Sequence, residues 1–285
     1  MSIAIITDST CDLTADELTQ LEVTRIPLNV HFQGRSFLDW EEITPADIIR
    51  GVDGGADLPS TSQPSPAAFA QAYEAAAAQG ATHIVVLTIS SELSGTYQSA
   101  VLGAQDAPAE ITVLDTKAAS LGLGAMVRLA AKYRAEGKSF EDLVRLLEAA
   151  RDTLFVLFSV GTLEYLQKGG RIGAASALLG GLLNIKPILG LEEGKIIPLA
   201  KARGARKAQR ELVARFRDYV AAQSTPVVAN FLHIQDESLA SELEAAIRAE
   251  GVEFTTEDTS EIGSVIAAHV GPGTYGVYAY AVPAE

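Results

Sequence analysis

Two hydroxyl-rich turns, Thr61-Ser62-Gln63-Pro64-Ser65-Pro66 and Ser90-Ser91-Glu92-Leu93-Ser94-Gly95-Thr96-Tyr97, are the segments of this sequence best suited to hold an anion. In the first, two prolines pre-set the backbone for helix entry, and Ser65 stands where it can cap a helix opening at Pro66. The second follows the apolar run Ile84 to Ile89 directly, as a βα loop does, and in open α/β sheets ligands collect beyond the strand C-termini. Both turns are therefore expected at one edge, where hydroxyls and helix N-terminal amides can receive a carboxylate or phosphate. Asp8-Ser9-Thr10 fits the same rim, although capping the helical segment that starts near Leu13 is its plainer role.

Ser94 also admits a nucleophilic reading, with the distant His269 as base, because it lies on a strand-to-helix turn and is followed by glycine. The turn lacks the glycine before the serine that a nucleophile elbow requires, and no SxxK occurs. A plain cap at the helix start is the third role open to this serine. The four histidines, His31, His83, His233 and His269, form no HxH or HExxH pair, so no metal centre is expected. No P-loop occurs, and Gly122-Leu123-Gly124 lacks a third glycine and a preceding strand; it reads as helix packing, and no cofactor is expected.

Lys201 to Arg210 is the main basic concentration in a chain of net charge −14 and pI near 4.7. On a helix, Arg203, Arg206 or Lys207, and Arg210 fall three or four apart and form a cationic stripe, either a solvated face or a dock for an acidic or phosphate-bearing partner. The overall acidity disfavours nucleic acid and anionic membrane as broad partners. Lys168-Gly169-Gly170-Arg171 follows a helical stretch, Thr162 to Gln167, and its glycines suit a helix C-cap. With Cys11 alone, neither an intrachain disulfide nor a cysteine zinc cluster can form. The segment from Met1 to Asp8 has no basic n-region and reads as a strand, and no apolar run is long enough to span a bilayer, so a cytoplasmic protein without stable membrane insertion is expected.

These residues need elements to position them. At 285 residues, two α/β domains are expected. Strands at Ile3 to Ile6, Val23 to Phe32, Ile84 to Ile89 and Ile111 to Leu114 alternate with helical stretches, including Thr44-Pro45 to about Gly51, Pro66 to Gln79, Ser94 to Ala104, Ala118 to Ala135 and Phe140 to Asp152. That βαβα pattern predicts a parallel sheet with helices on both faces. Beyond Leu154 to Ser159 the pattern changes. A hairpin turns at Glu192-Glu193-Gly194, a polar helix runs from Ala205 to Ala222, and strand, helix, strand and strand follow, which suits an α+β domain with a mixed or antiparallel sheet. The expected division is residues 1–155 and 156–285. Hydrophobic residues are 48% of the chain, an excess that serves either alanine-rich helices or the lining of an internal cavity.

Thr7-Asp8-Ser9-Thr10, Thr61-Ser62-Gln63-Pro64-Ser65, Leu93-Ser94-Gly95-Thr96-Tyr97-Gln98-Ser99-Ala100, Leu163-Glu164-Tyr165-Leu166 with Lys168-Gly169-Gly170-Arg171-Ile172, and Ile262-Gly263 to His269-Val270-Gly271-Pro272-Gly273 come in an order and spacing that resembles the DegV family of bacterial fatty-acid-binding proteins. The resemblance covers essentially the whole chain. It implies a two-domain α/β protein without catalytic residues, holding one long-chain fatty acid such as palmitate or oleate, with the tail in a buried tunnel and the carboxylate at the domain interface. By motif, it implies that Ser62, Thr61 and Ser94 hydrogen-bond the carboxylate and that His269 and Arg171 belong to the nearby polar network. Neutral donors are expected to suffice without a fixed cation. It further implies a role in fatty acid metabolism or lipid transport, and in some members a separate fatty acid kinase subunit that phosphorylates the bound carboxylate; the basic stripe of Arg203, Arg206, Lys207 and Arg210 is where contact with such a partner is placed. The alternative is a serine hydrolase of acyl esters using Ser94.

Overall fold

The computed structural model describes residues 2–179 and 185–284; Met1 and Glu285, the outer ends of the two expected domains, lie outside the described residues. The chain opens with β1 (Ile3–Asp8), a single 3-10 turn over Ser9–Cys11, and α1 (Ala15–Gln20), which Thr14 caps by accepting from the Glu17 amide. The run Val23 to Phe32, read as one strand, is two: β2 (Val23–Ile26) and β3 (Asn29–Phe32). Pro27 separates them, having no N–H to give a ladder. β3 leaves the first sheet and pairs antiparallel with β4 (Arg35–Leu38) and, after α2 (Pro45–Asp53), with β5 (Ser60–Ser62). Nothing in the sequence pattern announces this three-stranded sheet, because β5 is three hydroxyl-bearing residues with no apolar alternation.

Ser65 caps α3 (Pro66–Ala78) as the sequence indicates; β6 (His83–Thr88), α4 (Thr96–Gly103) and β7 (Glu110–Asp115) complete a parallel sheet ordered β2-β1-β6-β7. α5 (Leu121–Ala135) and α6 (Phe140–Asp152) follow. β8 (Phe155–Ser159), α7 (Glu164–Lys168), the hairpin β9 (Ile185–Glu192) and β10 (Lys195–Arg203), α8 (Ala205–Ala221), β11 (Val227–His233), α9 (Glu237–Ala249), β12 (Thr255–Glu261), α10 (Ser264–Val270) and β13 (Tyr275–Ala281) build the rest. Their mixed sheet is ordered β10-β9-β8-β13-β11-β12, with only β11 and β12 parallel. The division expected between residues 155 and 156 falls inside β8, a strand of this second sheet.

α5 joins the halves. Eleven of its residues are buried, on every face, because it packs on β1 and β6 on one side and on β11 and β13 on the other. Glycine permits that closeness: a Cβ on Gly122 would lie 2.4 Å from the Tyr278 ring, and one on Gly124 2.6 Å from the Cys11 carbonyl. Gly122-Leu123-Gly124 is thus the helix-packing element its sequence suggests. At one side of α5, Arg128 reaches Glu17 of α1 at 2.6 Å, Asn230 of β11 at 2.8 Å and Asp258 of β12 at 2.7 Å, tying α1 and α5 to the second sheet through charge-assisted bonds. Among the described residues, no helix is long and apolar enough to cross a membrane.

Candidate ligand-binding site

Where the three sheets meet, a cavity opens, walled mainly by apolar side chains, among them Leu28, Leu93, Phe158, Leu191, Ile196 and Leu232. One wall is α10, a helix the sequence reading passes over; seven residues between Gly263 and Gly271 are too few for the 3.6-residue period to stand out. Val265, Ile266, His269 and Val270 of this helix face the cavity, the spacing of one helical face. The β9–β10 hairpin closes over it. At its tip, Ser90 Oγ donates to the Gly194 carbonyl at 2.9 Å, Lys195 meets Glu92 at 3.4 Å, and Lys117 pairs with Glu193.

A polar group gathers at one end. Thr61 Oγ1 and His269 Nε2 are 2.8 Å apart, joining β5 to α10 across 208 positions of sequence. Burial, followed by the positive charge of Arg171, pushes His269 down to about 4. Its Nδ1 is sealed without a partner, and Gly169 makes room for it, since a Cβ there would lie 2.4 Å from that nitrogen. Arg171 donates to the Leu93 carbonyl at 3.0 Å and the Gly169 carbonyl at 2.7 Å, and among the described residues no carboxylate neutralises it. A fixed cation therefore stands beside the hydroxyls expected to suffice without one. Beyond the α7 C-cap at Gly169, Gly170 turns the chain with φ +71°, and Arg171 follows at the cavity wall. Ser94 also lines the cavity, with Oγ 2.9 Å from Thr96 Oγ1 and 3.4 Å from the Thr96 amide.

The two hydroxyl-rich turns do meet. Gln63 Nε2 donates to Ser99 Oγ at 3.0 Å, and a Cβ on Gly95 would strike the Gln63 amide group. Residues 2–282 match the family described as "Uncharacterised protein, DegV family". The chain belongs to the DegV family. It is 46% identical, with a TM-score of 0.94, to a DegV family protein from Thermus thermophilus described as binding fatty acid; the match covers 99% of this chain and 100% of that one. A DegV domain-containing protein from Deinococcus radiodurans is 43% identical over 279 residues, 97% of this chain and 98% of its own. A stearic acid-binding protein from Eubacterium ventriosum shares 28% identity and a TM-score of 0.90, covering 99% of this chain and 98% of that one.

Within this DegV family chain, the expected site residues separate. Thr61, Ser94, Arg171 and His269 line one cavity, but Ser62 does not. Successive residues of a strand point to opposite faces, so when Thr61 turns to His269, Ser62 turns away, and its Oγ lies 3.0 Å from His31 Nε2. The cationic stripe is also rearranged: Arg203 ends β10, Gly204 breaks the chain direction at φ +81°, and only Arg206, Lys207 and Arg210 are on α8. Lys201, Arg203, Lys207 and Arg210 still share one exposed groove, and among the described residues none of Arg203, Arg206, Lys207 and Arg210 forms an ion pair.

The depressed His269 value predicts that its imidazole stays neutral at pH 5, where a histidine near 6.5 is mostly charged. The unfolded chain then binds the extra proton, so this group's contribution to stability is complete above about pH 6.5 and falls, by about 3 kcal/mol in total, as the pH drops toward 4. Imidazole NMR across that range checks it; a midpoint near 6.5 would contradict the burial argument.

Proposed function

We propose that this chain is a non-enzymatic carrier of one long-chain fatty acid, whose tail fills the apolar cavity and whose carboxylate is received by Thr61 and Ser94, with His269 and Arg171 beside them. Ser62 belongs to the same motif and supports β5 through His31. The observation that carries the reading is the gathering of the Thr61–His269 pair, Ser94 and Arg171 at one end of a mainly apolar chamber. Relatives described as fatty-acid-binding support it. The physics agrees: about fourteen buried methylenes at about 0.8 kcal/mol each give about 11 kcal/mol as a ceiling before ordering costs. The head group, withdrawn from water, must keep its hydrogen bonds, which hydroxyls supply and Arg171 reinforces.

The exposed basic groove is where we place docking of a separate kinase that phosphorylates the bound carboxylate. Arg206, Lys207 and Arg210 crowd the N-terminal part of α8, where no acidic residue stands in the first turn. Cations near that positive helix end cost about 0.3–1 kcal/mol each, an expense a partner's acidic surface would offset.

Organic extraction of the purified protein followed by mass spectrometry is expected to yield stoichiometric long-chain fatty acid. A protein that is empty and takes up neither palmitate nor oleate ends this reading. The hydrolase alternative needs Ser94 joined to a base, yet Ser94 pairs with Thr96 while His269 pairs with Thr61. A fluorophosphonate probe is expected to leave Ser94 unlabelled.

A further inference from the structure

The end of the cavity away from His269 has its own polar lining. α10 carries His269 in its last turn and starts at Gly263, about 9 Å away along the helix axis at 1.5 Å per residue. Gly263 is pressed between Trp40 and Asp12, with a notional Cβ 2.4 Å from Trp40 Nε1 and 2.6 Å from Asp12 Oδ1. Asp12, fully buried, accepts from Ser120 Oγ at 2.6 Å. Ser120 lines the cavity, and Tyr278, whose ring lies against Gly122 two residues further on, lines it too. Asp12, Ser120 and Tyr278 therefore mark a second pole, separated from the carboxylate pole by the apolar face of α10.

Tyr278 is the unusual member. It is only 6% exposed, its hydroxyl makes no hydrogen bond to any described residue, and it is not among the side-chain atoms that are both sealed and unpartnered. A phenol that is buried, unbonded and still in contact with open space must present its hydroxyl to the cavity. Its ring packs against the open face of Gly122, and its backbone is paired on both sides, with Asn230 and Val156. A plain alkyl chain against this hydroxyl leaves a buried donor unmet, which costs about 1–3 kcal/mol.

We propose that Tyr278 is a specificity-determining residue that selects acyl chains bearing an oxygen atom along the tail, with hydroxy fatty acids as the ligand class. The chain hydroxyl accepts from, or donates to, the Tyr278 hydroxyl, while the carboxylate stays at Thr61 and Ser94. A site that hydrogen-bonds a ligand hydroxyl discriminates strongly against the analogue lacking it, whereas an apolar wall discriminates weakly. This rests on the fatty-acid-carrier reading.

The test compares stearate with a set of monohydroxystearates whose hydroxyl is moved along the chain, each titrated into wild-type protein and into Tyr278→Phe after delipidation. At least one positional isomer is expected to bind wild type about tenfold tighter than stearate, and Tyr278→Phe to abolish that preference while leaving stearate bound as well or better. If stearate binds and no isomer surpasses it, or if the preference survives in Tyr278→Phe, the proposal fails and the carrier reading stands. Should neither stearate nor any isomer bind, both fail. Should Tyr278→Phe not fold, the wild-type ranking of isomers alone decides.

Discussion

Replacing Thr61 by valine and Ser94 by alanine together is expected to weaken retention of palmitate or oleate by about a hundredfold. Each hydroxyl is proposed to donate to an ionised carboxylate, and hydrogen bonds to charged groups contribute about 1.5–3 kcal/mol, so losing two costs at least about 3 kcal/mol in binding. The tail contacts are untouched, so affinity drops without vanishing. Thr61→Val also strips His269 Nε2 of its partner, leaving both ring nitrogens of a buried imidazole unmet, so a melting curve must accompany the binding curve. Thr61→Ser, which keeps the hydroxyl, is expected to restore most of the affinity. Ser62→Ala, cutting only the bond to His31, is expected to change it by less than about threefold. Retention within about threefold of wild type in the double variant would move the carboxylate elsewhere.

The second large effect is on folding. Arg128→Met is expected to destabilise the protein by about 3–5 kcal/mol, read as a lower midpoint of urea unfolding. The guanidinium side chain is 13% exposed and lies among Glu17, Glu257 and Asp258, themselves 30%, 26% and 24% exposed. Without it, three half-buried carboxylates face one another with no cation between them. Burial already raises the Glu257 carboxyl above its usual range, and Arg128 is the charge that opposes this. Removing the arginine is therefore expected to make stability rise as the pH falls, because the folded protein will bind protons that the unfolded chain does not. A loss below about 1 kcal/mol would mean that α5 is held by packing alone.

Local chemistry was enough to read the repeating strand and helix pattern of the first half, the β9–β10 hairpin at Glu193-Gly194, the Ser65 cap, the helix entry at Thr44-Pro45, and α6 from Phe140 to Asp152. Each of these depends on neighbours within a few residues. The hydroxyl turns and the lysine-glycine-glycine-arginine segment were likewise visible as candidates, because their residue types announce anion contact wherever they are put.

What local chemistry could not resolve is which way those groups face. Thr61 and Ser62 are equivalent as sequence, and only pairing of β5 with β3 sends one to the cavity and the other to His31. His269 comes to the cavity wall as a neutral imidazole because a seven-residue helix, too short to show its period, seats it against Thr61 and near the charge of Arg171. Tyr278 reads as one more aromatic in an apolar strand until Gly122, on a helix 156 positions earlier, fixes its ring at the cavity wall. Residue types and spacings specify elements through contacts close in sequence, but a shared chamber is made of contacts distant in sequence. Those exist only once three sheets and α5 have packed together.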